Sequence, residues 1–84
     1  VKMVDITKMD LRARVVCPMT GRPQAWTEKI RSWSFDIAKQ DAYEAMIGCS
    51  SSFRIQIFQY GTGLVIASAP NVRGSQWTLH VSLD

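Results

Sequence analysis

The clearest alternation of apolar and polar residues lies in the second half of the chain. The stretch FRIQIFQY, Phe53–Tyr60, places an apolar residue at every second position up to residue 57, which is the period of a strand with one buried face. The glycine-flanked turn at residues 61–63 suits a hairpin, so Leu64–Ala69 is predicted to return antiparallel to this strand. After a second turn region, WTLHVSL, Trp77–Leu83, alternates again. These patterns predict a meander of three antiparallel strands.

The first half of the chain contains one clear strand and one ambiguous segment. MDLRARVVC, Met9–Cys17, alternates apolar and polar residues, and the turn signal PMTGRP at residues 18–23 ends it. Between residues 23 and 48 two patterns compete, because four apolar residues recur at helical spacing while SWSFDI, residues 32–37, alternates as a strand does. The residues at helical spacing are Trp26, Ile30, Trp33 and Ile37.

We favour a strand over Glu28–Ala38, followed by a helix over Asp41–Ile47. Asp41 and Glu44 have the spacing of a capping box, and Gly48 suits the end of a helix. The predicted order β-β-α-β-β-β defines a small α+β domain with an antiparallel sheet and one short helix. Tight connections favour strand pairing in two groups, one before and one after the helix.

The 84 residues are expected to form a single domain, with residues 1–8 as a flexible N-terminal segment. Its core is predicted to combine the inward-facing residues of the strands with small residues of the helix. The substitution Leu79→Ala is then expected to lower the free energy of unfolding by roughly 2–5 kcal/mol. The predicted core residues are Trp33, Phe35, Ile37, Ala42, Ala45, Met46, Phe53, Ile55, Ile57, Trp77, Leu79 and Val81.

One short helix leaves the other face of the sheet without evident cover. Two aromatic rings, Phe58 and Tyr60, are predicted on that uncovered face. Rings beside an arginine are typical of protein interfaces and of surfaces on which unpaired bases stack. Truncating either ring is then expected to weaken binding and to leave the melting temperature unchanged, unless both rings pack beneath the N-terminal segment. The predicted partner-binding residues are Arg54, Gln56, Phe58, Tyr60 and His80, with Thr78 beside them.

A second candidate surface is basic. Residues two apart on a strand share a face, so Arg12 joins Arg14, and Lys29 joins Arg31. Such a patch suits phosphates or an acidic protein surface, although a solvated strand face has the same composition. The members of this predicted basic patch are Arg12, Arg14, Arg22, Lys29 and Arg31.

The sequence shows no catalytic or metal-binding signature. His80 is the single histidine, no nucleophile lies in a recognisable elbow, and Cys17 and Cys49 lack the spacing of a zinc site. We therefore expect no enzyme activity, no metal and no cofactor, and two reduced cysteines that are at least partly buried. The net charge of +3 and the pI near 9.2 indicate a mildly basic protein. Without a leader pattern or a long apolar run, the cytoplasm of a host cell is the expected location, with no membrane contact.

The layout of the chain resembles that of small phage-encoded anti-CRISPR and host-takeover proteins. The stretches that carry the resemblance are SFDIAKQDAYEAMIG and FRIQIFQYGTGLVIASAPNVRGSQWTLHVSLD. The resemblance implies a non-enzymatic inhibitor that docks on a host effector, often at a surface meant for nucleic acid. Many such proteins are acidic mimics of DNA, but this chain is basic, so direct contact with the effector protein, with or without its DNA, is favoured over mimicry.

The predicted function is that of a small binding protein that inhibits a host protein or nucleoprotein complex by occlusion. Two alternatives stay open. One is a nucleic-acid-binding accessory domain that uses the uncovered sheet face. The other is a homodimeric structural module whose uncovered faces pack together.

Overall fold

A five-stranded antiparallel sheet with one helix against it forms the frame of the structure, a computed structural model that describes residues 3–84. Two further short strands form a parallel pair. The predicted α+β class is confirmed, and the order of strands and helix broadly fits the prediction. The strands are β1 (Met3–Val4), β2 (Leu11–Val16), β3 (Glu28–Lys29), β4 (Arg54–Gln59), β5 (Val65–Pro70), β6 (Thr78–Leu79) and β7 (Ser82–Leu83). The helix α1 spans Phe35–Ala45, and a 3₁₀-helix spans Ile6–Lys8.

The two most extensively paired strands at the centre of the large sheet come from opposite sides of the helix in sequence. The order across the sheet is β3-β2-β4-β5-β6, and β2 pairs with β4 from Leu11↔Gln59 to Val16↔Arg54. The predicted antiparallel pairing within each group is confirmed, but β2 and β4 join the two groups into one sheet. A ribbon of β2 with the two-residue β3 buries too little apolar surface to be stable alone, whereas β2 between β3 and β4 is hydrogen-bonded on both edges.

Helix α1 begins at Phe35 rather than at Asp41, because Ser34 caps its N-terminus. The Ser34 hydroxyl accepts a hydrogen bond from the backbone N–H of Ile37 at 3.2 Å. This bond satisfies one of the free donors of the first helical turn. The predicted strand over Glu28–Ala38 is therefore wrong beyond β3.

The features used to place the helix have other roles in the structure. Asp41 lies inside α1, where its carboxylate accepts hydrogen bonds from the backbone and the guanidinium of Arg31. The rejected helical stripe is also wrong for Trp26 and Trp33, which precede the helix. Gly48, with a φ of +93°, follows the helix in the left-handed conformation that favours glycine, as its predicted place at the helix end requires.

The helix packs over β2 and β4 through a stripe of small residues and one methionine. Ala38, Ala42 and Met46 are fully buried at spacings of four residues, which places them on one side of the helix. Facing them, the strands contribute small and aliphatic side chains that bring helix and sheet close together. The buried core cluster is Val4, Ile6, Leu11, Ala13, Val15, Ile30, Ala38, Ala42, Met46, Ile55, Ile57, Ile66 and Ala67.

The predicted core is correct in its centre and wrong at its margin. Trp33 is 68% exposed and Leu79 is 47% exposed, because the first precedes the helix and the second lies on the two-residue edge strand β6, away from α1. The predicted strand Trp77–Leu83 is divided into β6 and β7 by His80 and Val81. Predicted core residues that are buried are Ala42, Met46, Ile55 and Ile57, and those partly buried against the core are Phe35, Ala45, Phe53, Trp77 and Val81.

The beginning and the end of the described chain meet. Strand β1 pairs in parallel with β7, with Met3 opposite Ser82 and Val4 opposite Leu83. Val4 and Ile6 are buried in the main core. The part of the predicted flexible segment that covers residues 3–8 is therefore packed against the rest of the domain, and residues 1 and 2 lie outside the described residues.

Candidate binding face

The side of the large sheet opposite α1 carries charged, polar and aromatic side chains. We call this side the open face. It follows from the strand alternation, because the neighbours of the buried Ala13, Ile55 and Ile57 point the other way. The members of the open face are Arg12, Arg14, Lys29, Arg54, Gln56, Phe58, Tyr60, Ser68, Thr78 and His80.

The pairing of β2 with β4 joins the two surfaces that the sequence predicted separately. Arg12 lies opposite Phe58, and Arg14 lies opposite Gln56. Lys29 lies opposite Arg12 on the other edge of β2. Directly opposed residues of an antiparallel pair share a face. The predicted partner-binding residues and three members of the predicted basic patch therefore form one surface.

Two arginine side chains cover the two aromatic rings of the open face. The guanidinium carbon of Arg14 lies 4.1 Å from the ring centroid of Phe58, and that of Arg12 lies 4.2 Å from the centroid of Tyr60. Both distances are those of cation–π contacts. Phe58 is left only 5% exposed, whereas Tyr60 is 54% exposed. The prediction that Phe58 is uncovered is therefore wrong, because its cover is an arginine on the neighbouring strand rather than a second helix.

Side-chain hydrogen bonds hold the arginines of the open face in place. Arg14 Nε donates to Gln56 Oε1 at 3.0 Å. Arg54 Nη2 donates to Ser68 Oγ at 3.3 Å, and this hydroxyl is also hydrogen-bonded to His80 Nε2 at 3.0 Å. Each hydrogen bond fixes one edge of a guanidinium and leaves its other N–H groups available, since an arginine carries five donors.

The open face carries an excess of positive charge. The sequence has ten basic and seven acidic residues. Four of the basic residues belong to the open face, namely Arg12, Arg14, Lys29 and Arg54, and one acidic residue, Asp10, contacts two of them. The remaining six basic residues, of which Lys2 lies outside the described residues, equal the remaining six acidic residues in number. The open face together with Asp10 thus carries a charge of +3, equal to the net charge of the chain.

Arg14 and Arg54 differ from the other two cations of this face in having no acidic partner. Asp10 lies 3.4 Å from both Arg12 and Lys29. Neither Arg14 nor Arg54 contacts a carboxylate of residues 3–84. Burial lowers the pKa of Arg14, although its guanidinium stays protonated. The open face therefore holds two cations whose charge is not balanced within the described chain.

Two members of the predicted basic patch lie elsewhere. Arg22 is exposed in the loop after β2. Arg31 turns toward the helix, where it forms a bidentate ion pair with Asp41 at 2.8 and 2.9 Å. This pair lowers the pKa of the Asp41 carboxyl and raises that of the guanidinium, because each charge favours the other. The predicted sharing of a face by Lys29 and Arg31 fails because the chain leaves β3 after Lys29.

A groove of about 390 Å³ lies between the β3 edge and the helix, with the exposed Trp33 on its rim. Its charged groups are already paired, since Asp41 binds Arg31 and Asp10 binds Lys29. Unpaired charge is thus concentrated on the open face and not in the groove.

The described residues offer little for other chemistry. Within residues 3–84 no three histidine, cysteine or acidic side chains converge as metal ligands. Cys17 and Cys49 are both free and partly buried, as predicted, and backbone N–H groups of Met19 and Thr20 lower the pKa of the Cys17 thiol. No helix in this part of the chain is long and apolar enough to cross a membrane.

The Ser68–His80 pair was missed as a pair by sequence reasoning. Its signal was present, because Ser68 is the one polar residue in the apolar run Leu64–Ala69. A serine–histidine hydrogen bond is half of a nucleophilic triad, but no carboxylate of the described residues orients the imidazole, and Ser68 is buried in mid-strand. Its clearest contact is with Arg54, so we assign the pair to positioning that guanidinium.

Comparison of the chain with protein-family models, with curated proteins and with solved structures found no match.

Proposed function

We propose that this chain is a non-enzymatic binding protein that docks through its open face on an anionic partner. The observation that carries the proposal is the location of the net charge. The open face with Asp10 carries a charge of +3, equal to the net charge of the chain, and two of its cations, Arg14 and Arg54, have no acidic partner within residues 3–84. Concentrated charge of one sign raises the rate and the specificity of association with a surface of the opposite sign.

The composition of the open face supports binding more than it supports folding. Arginine and tyrosine are enriched at the centres of interfaces and among the residues that contribute most to binding energy. Arg12, Arg14 and Arg54 are held by ring contacts or hydrogen bonds, so less side-chain freedom is lost when a partner binds.

The partner that we propose is a host protein or nucleoprotein complex in the cytoplasm, which the chain inhibits by occlusion. This part of the proposal rests on the resemblance in layout to anti-CRISPR and host-takeover proteins. The basic face agrees with it, because nucleoprotein complexes expose both phosphates and acidic protein surfaces. A homodimer formed by two open faces is disfavoured, since it would bring two surfaces of charge +3 together.

Two double variants with the same net charge test the role of the face. The open-face variant carries Arg14→Gln and Arg54→Gln, and the helix-side variant carries Lys39→Gln and Arg73→Gln. Lys39 and Arg73 pair with acidic residues of the helix, Asp36 and Glu44. On a heparin column, we expect the open-face variant to elute at clearly lower salt than the parent, and the helix-side variant to elute close to it. Elution of both variants at the same salt would contradict the proposal.

Inhibition is tested in bacteria that carry active CRISPR systems of different types and receive a targeted plasmid. The parent chain is expected to restore transformation in at least one of these hosts, with the helix-side variant matching it and the open-face variant losing the effect. Full inhibition by the open-face variant would show that another surface is responsible. Failure of the parent in every host would remove the anti-CRISPR part of the proposal.

A further inference from the structure

We propose that the anionic partner of the open face is a single-stranded nucleic acid, with phosphates at Arg14 and Arg54 and a base stacked at the Arg12–Tyr60 pair. This inference rests on the proposed function and names the partner of the same face. Three features of the face carry it: unpaired guanidinium groups, an exposed ring, and a sheet surface that α1 does not cover.

The unpaired guanidinium groups suit phosphate. Arg14 uses its Nε–H on Gln56, and Arg54 uses one Nη2 donor on Ser68, so further donors of each remain for a ligand. Guanidinium groups bind phosphate oxygens through two parallel hydrogen bonds, and a guanidinium already held in place is prepared for this geometry. Arg14 and Arg54 lie on the adjacent, paired strands β2 and β4, with Gln56 opposite Arg14 and Arg54 opposite Val16.

The Arg12–Tyr60 pair suits a base. Tyr60 is more than half exposed, and the guanidinium carbon of Arg12 lies 4.2 Å from its ring centroid, in a cation–π contact. Unpaired bases stack on aromatic rings and on guanidinium planes alike. Arg12 and Arg14 are two residues apart on a strand, which is about 6.6–6.8 Å. The base position at Arg12–Tyr60 and the phosphate position at Arg14 thus follow one another along β2.

The shape of the face favours a single strand over a duplex. Duplex bases are read by a helix or a two-stranded ribbon that enters a groove. Here α1 packs on the opposite side of the sheet, and the open face consists of strands side by side. An acidic protein surface would satisfy the arginines equally well, but it gives no role to the exposed ring of Tyr60. Dependence on Tyr60 therefore separates the two partners.

The test measures fluorescence anisotropy of a labelled oligothymidylate of about 12 nucleotides, within the site sizes known for single-strand-binding folds. Titration at several salt concentrations gives the slope of log K against log salt. Each phosphate contact on a single strand contributes about 0.7 to the magnitude of this slope. The open-face variant is therefore expected to lower that magnitude by about 1.4. The helix-side variant is expected to match the parent in both slope and affinity.

The base contact is tested at Tyr60 with two substitutions. Tyr60→Ala is expected to weaken oligothymidylate binding by about 5- to 150-fold, the range found for losing one base–aromatic stack. Tyr60→Phe keeps the ring and is expected to bind like the parent. Both variants are expected to melt close to the parent. Inorganic polyphosphate, which has charge but no bases, is expected to bind the parent and Tyr60→Ala equally.

Three results would overturn the single-strand inference. One is oligothymidylate binding that does not respond to Tyr60→Ala, another is a duplex of equal length that binds as tightly as the single strand, and the third is no binding of the oligonucleotide at low salt. In each case a heparin elution that still separates the open-face from the helix-side variant would keep the proposed function, with a duplex as the partner after the second result and an acidic protein surface after the other two. Co-elution of those variants would remove both proposals.

Discussion

The two faces of the central sheet are built by the same strands and differ in almost every physical property. On β4, Ile55 and Ile57 point to the helix and are fully buried, whereas Arg54 and Gln56 between and beside them point to the open face. The helix side is small, aliphatic and free of charge at its centre. The open face carries long side chains and a positive charge. Strand alternation alone thus separates the part of the molecule that holds the fold from the part that is free to bind.

The comparison also shows how a basic face is maintained in so small a domain. Arginines that have no acidic partner repel one another and gain nothing from burial. Here Arg14 lies on Phe58 and donates a hydrogen bond to Gln56, and Arg54 donates one to Ser68. Arg12, which pairs with Asp10, lies on Tyr60. The rings of Phe58 and Tyr60 therefore hold the guanidinium groups of Arg14 and Arg12 in place on the sheet. We infer that binding and stability are separable on this face except at Phe58.

Phe58 is the residue of the open face that we expect to contribute to the stability of the fold. It belongs to the open face but is only 5% exposed, so Phe58→Ala is expected to lower the free energy of unfolding by about 3–5 kcal/mol. Tyr60→Ala, at an exposed ring of the same face, is expected to change it by less than about 0.5 kcal/mol. Urea denaturation measures both values. Equal and small losses would show that the Arg14 guanidinium does not bury the Phe58 ring in solution.

On the helix side of the sheet, a second pair of variants compares the stability lost at a buried and at a half-exposed residue. Ile57→Ala removes a fully buried side chain under α1 and is expected to cost about 2–5 kcal/mol. Leu79→Ala is expected to cost less than about 1 kcal/mol, because Leu79 is half exposed on the edge strand β6, which revises the larger loss expected from sequence. The two values come from the same denaturation experiment. A larger loss at Leu79 than at Ile57 would contradict the observed packing.

The stability of helix α1 can be lowered by a substitution at its N-cap residue, Ser34. Ser34→Ala removes the acceptor for the Ile37 N–H and is expected to cost about 1 kcal/mol. Ser34→Gly is the matched control, since glycine at an N-cap costs only a few tenths of a kcal/mol relative to serine. Oligothymidylate and heparin binding are expected to stay at the parent level in both, because Ser34 lies away from the open face. An unchanged stability in Ser34→Ala would place the start of the helix elsewhere.

The smallest expected effect is a pH dependence from the helix-side ion pair. The pKa of Asp41 is lowered chiefly by the hydrogen bond from Arg31, so the folded state holds its proton less tightly than the unfolded chain does. The stabilisation is present above the unfolded pKa of about 3.9 and is lost as pH falls through the lower folded pKa. Asp41→Asn is expected to flatten the decline of melting temperature below about pH 4. Thr7 lowers the pKa of Asp5 in the same direction, so part of the decline should remain.

Local patterns predicted the elements near the centre of the sheet because each strand there alternates between a buried and an open side. Ile55, Ile57 and the opposite-facing Arg54 and Gln56 could all be placed from the sequence. The start of the helix could not, since the extended Ser34 and the first helical residue, Phe35, continue the alternation of the preceding residues. Period-two alternation over six residues therefore did not distinguish a strand from a capped helix start.

The candidate site was predicted in composition but not in assembly. Alternation along each strand gave Arg12 with Arg14, and Arg54 with Phe58, as separate sets. Their union depends on β2 pairing with β4, a contact between residues more than forty positions apart, such as Arg14 and Gln56. No local pattern encodes such a partner choice. Because the contact of Arg14 with Phe58 follows from that register, it could not be predicted from the sequence either.

The most direct test of the division between the two faces is an NMR titration that follows the Nε–Hε signals of individual arginines. A short heparin oligosaccharide serves as the anionic probe, and the four reporters are Arg14 and Arg54 on the open face and Arg31 and Arg73 beside the helix. We expect the signals of Arg14 and Arg54 to shift with a common dissociation constant, while those of Arg31 and Arg73, already paired with Asp41 and Glu44, stay in place. Shifts of equal size at all four arginines, or larger shifts at Arg31 and Arg73, would contradict the claim that the open face is the working surface.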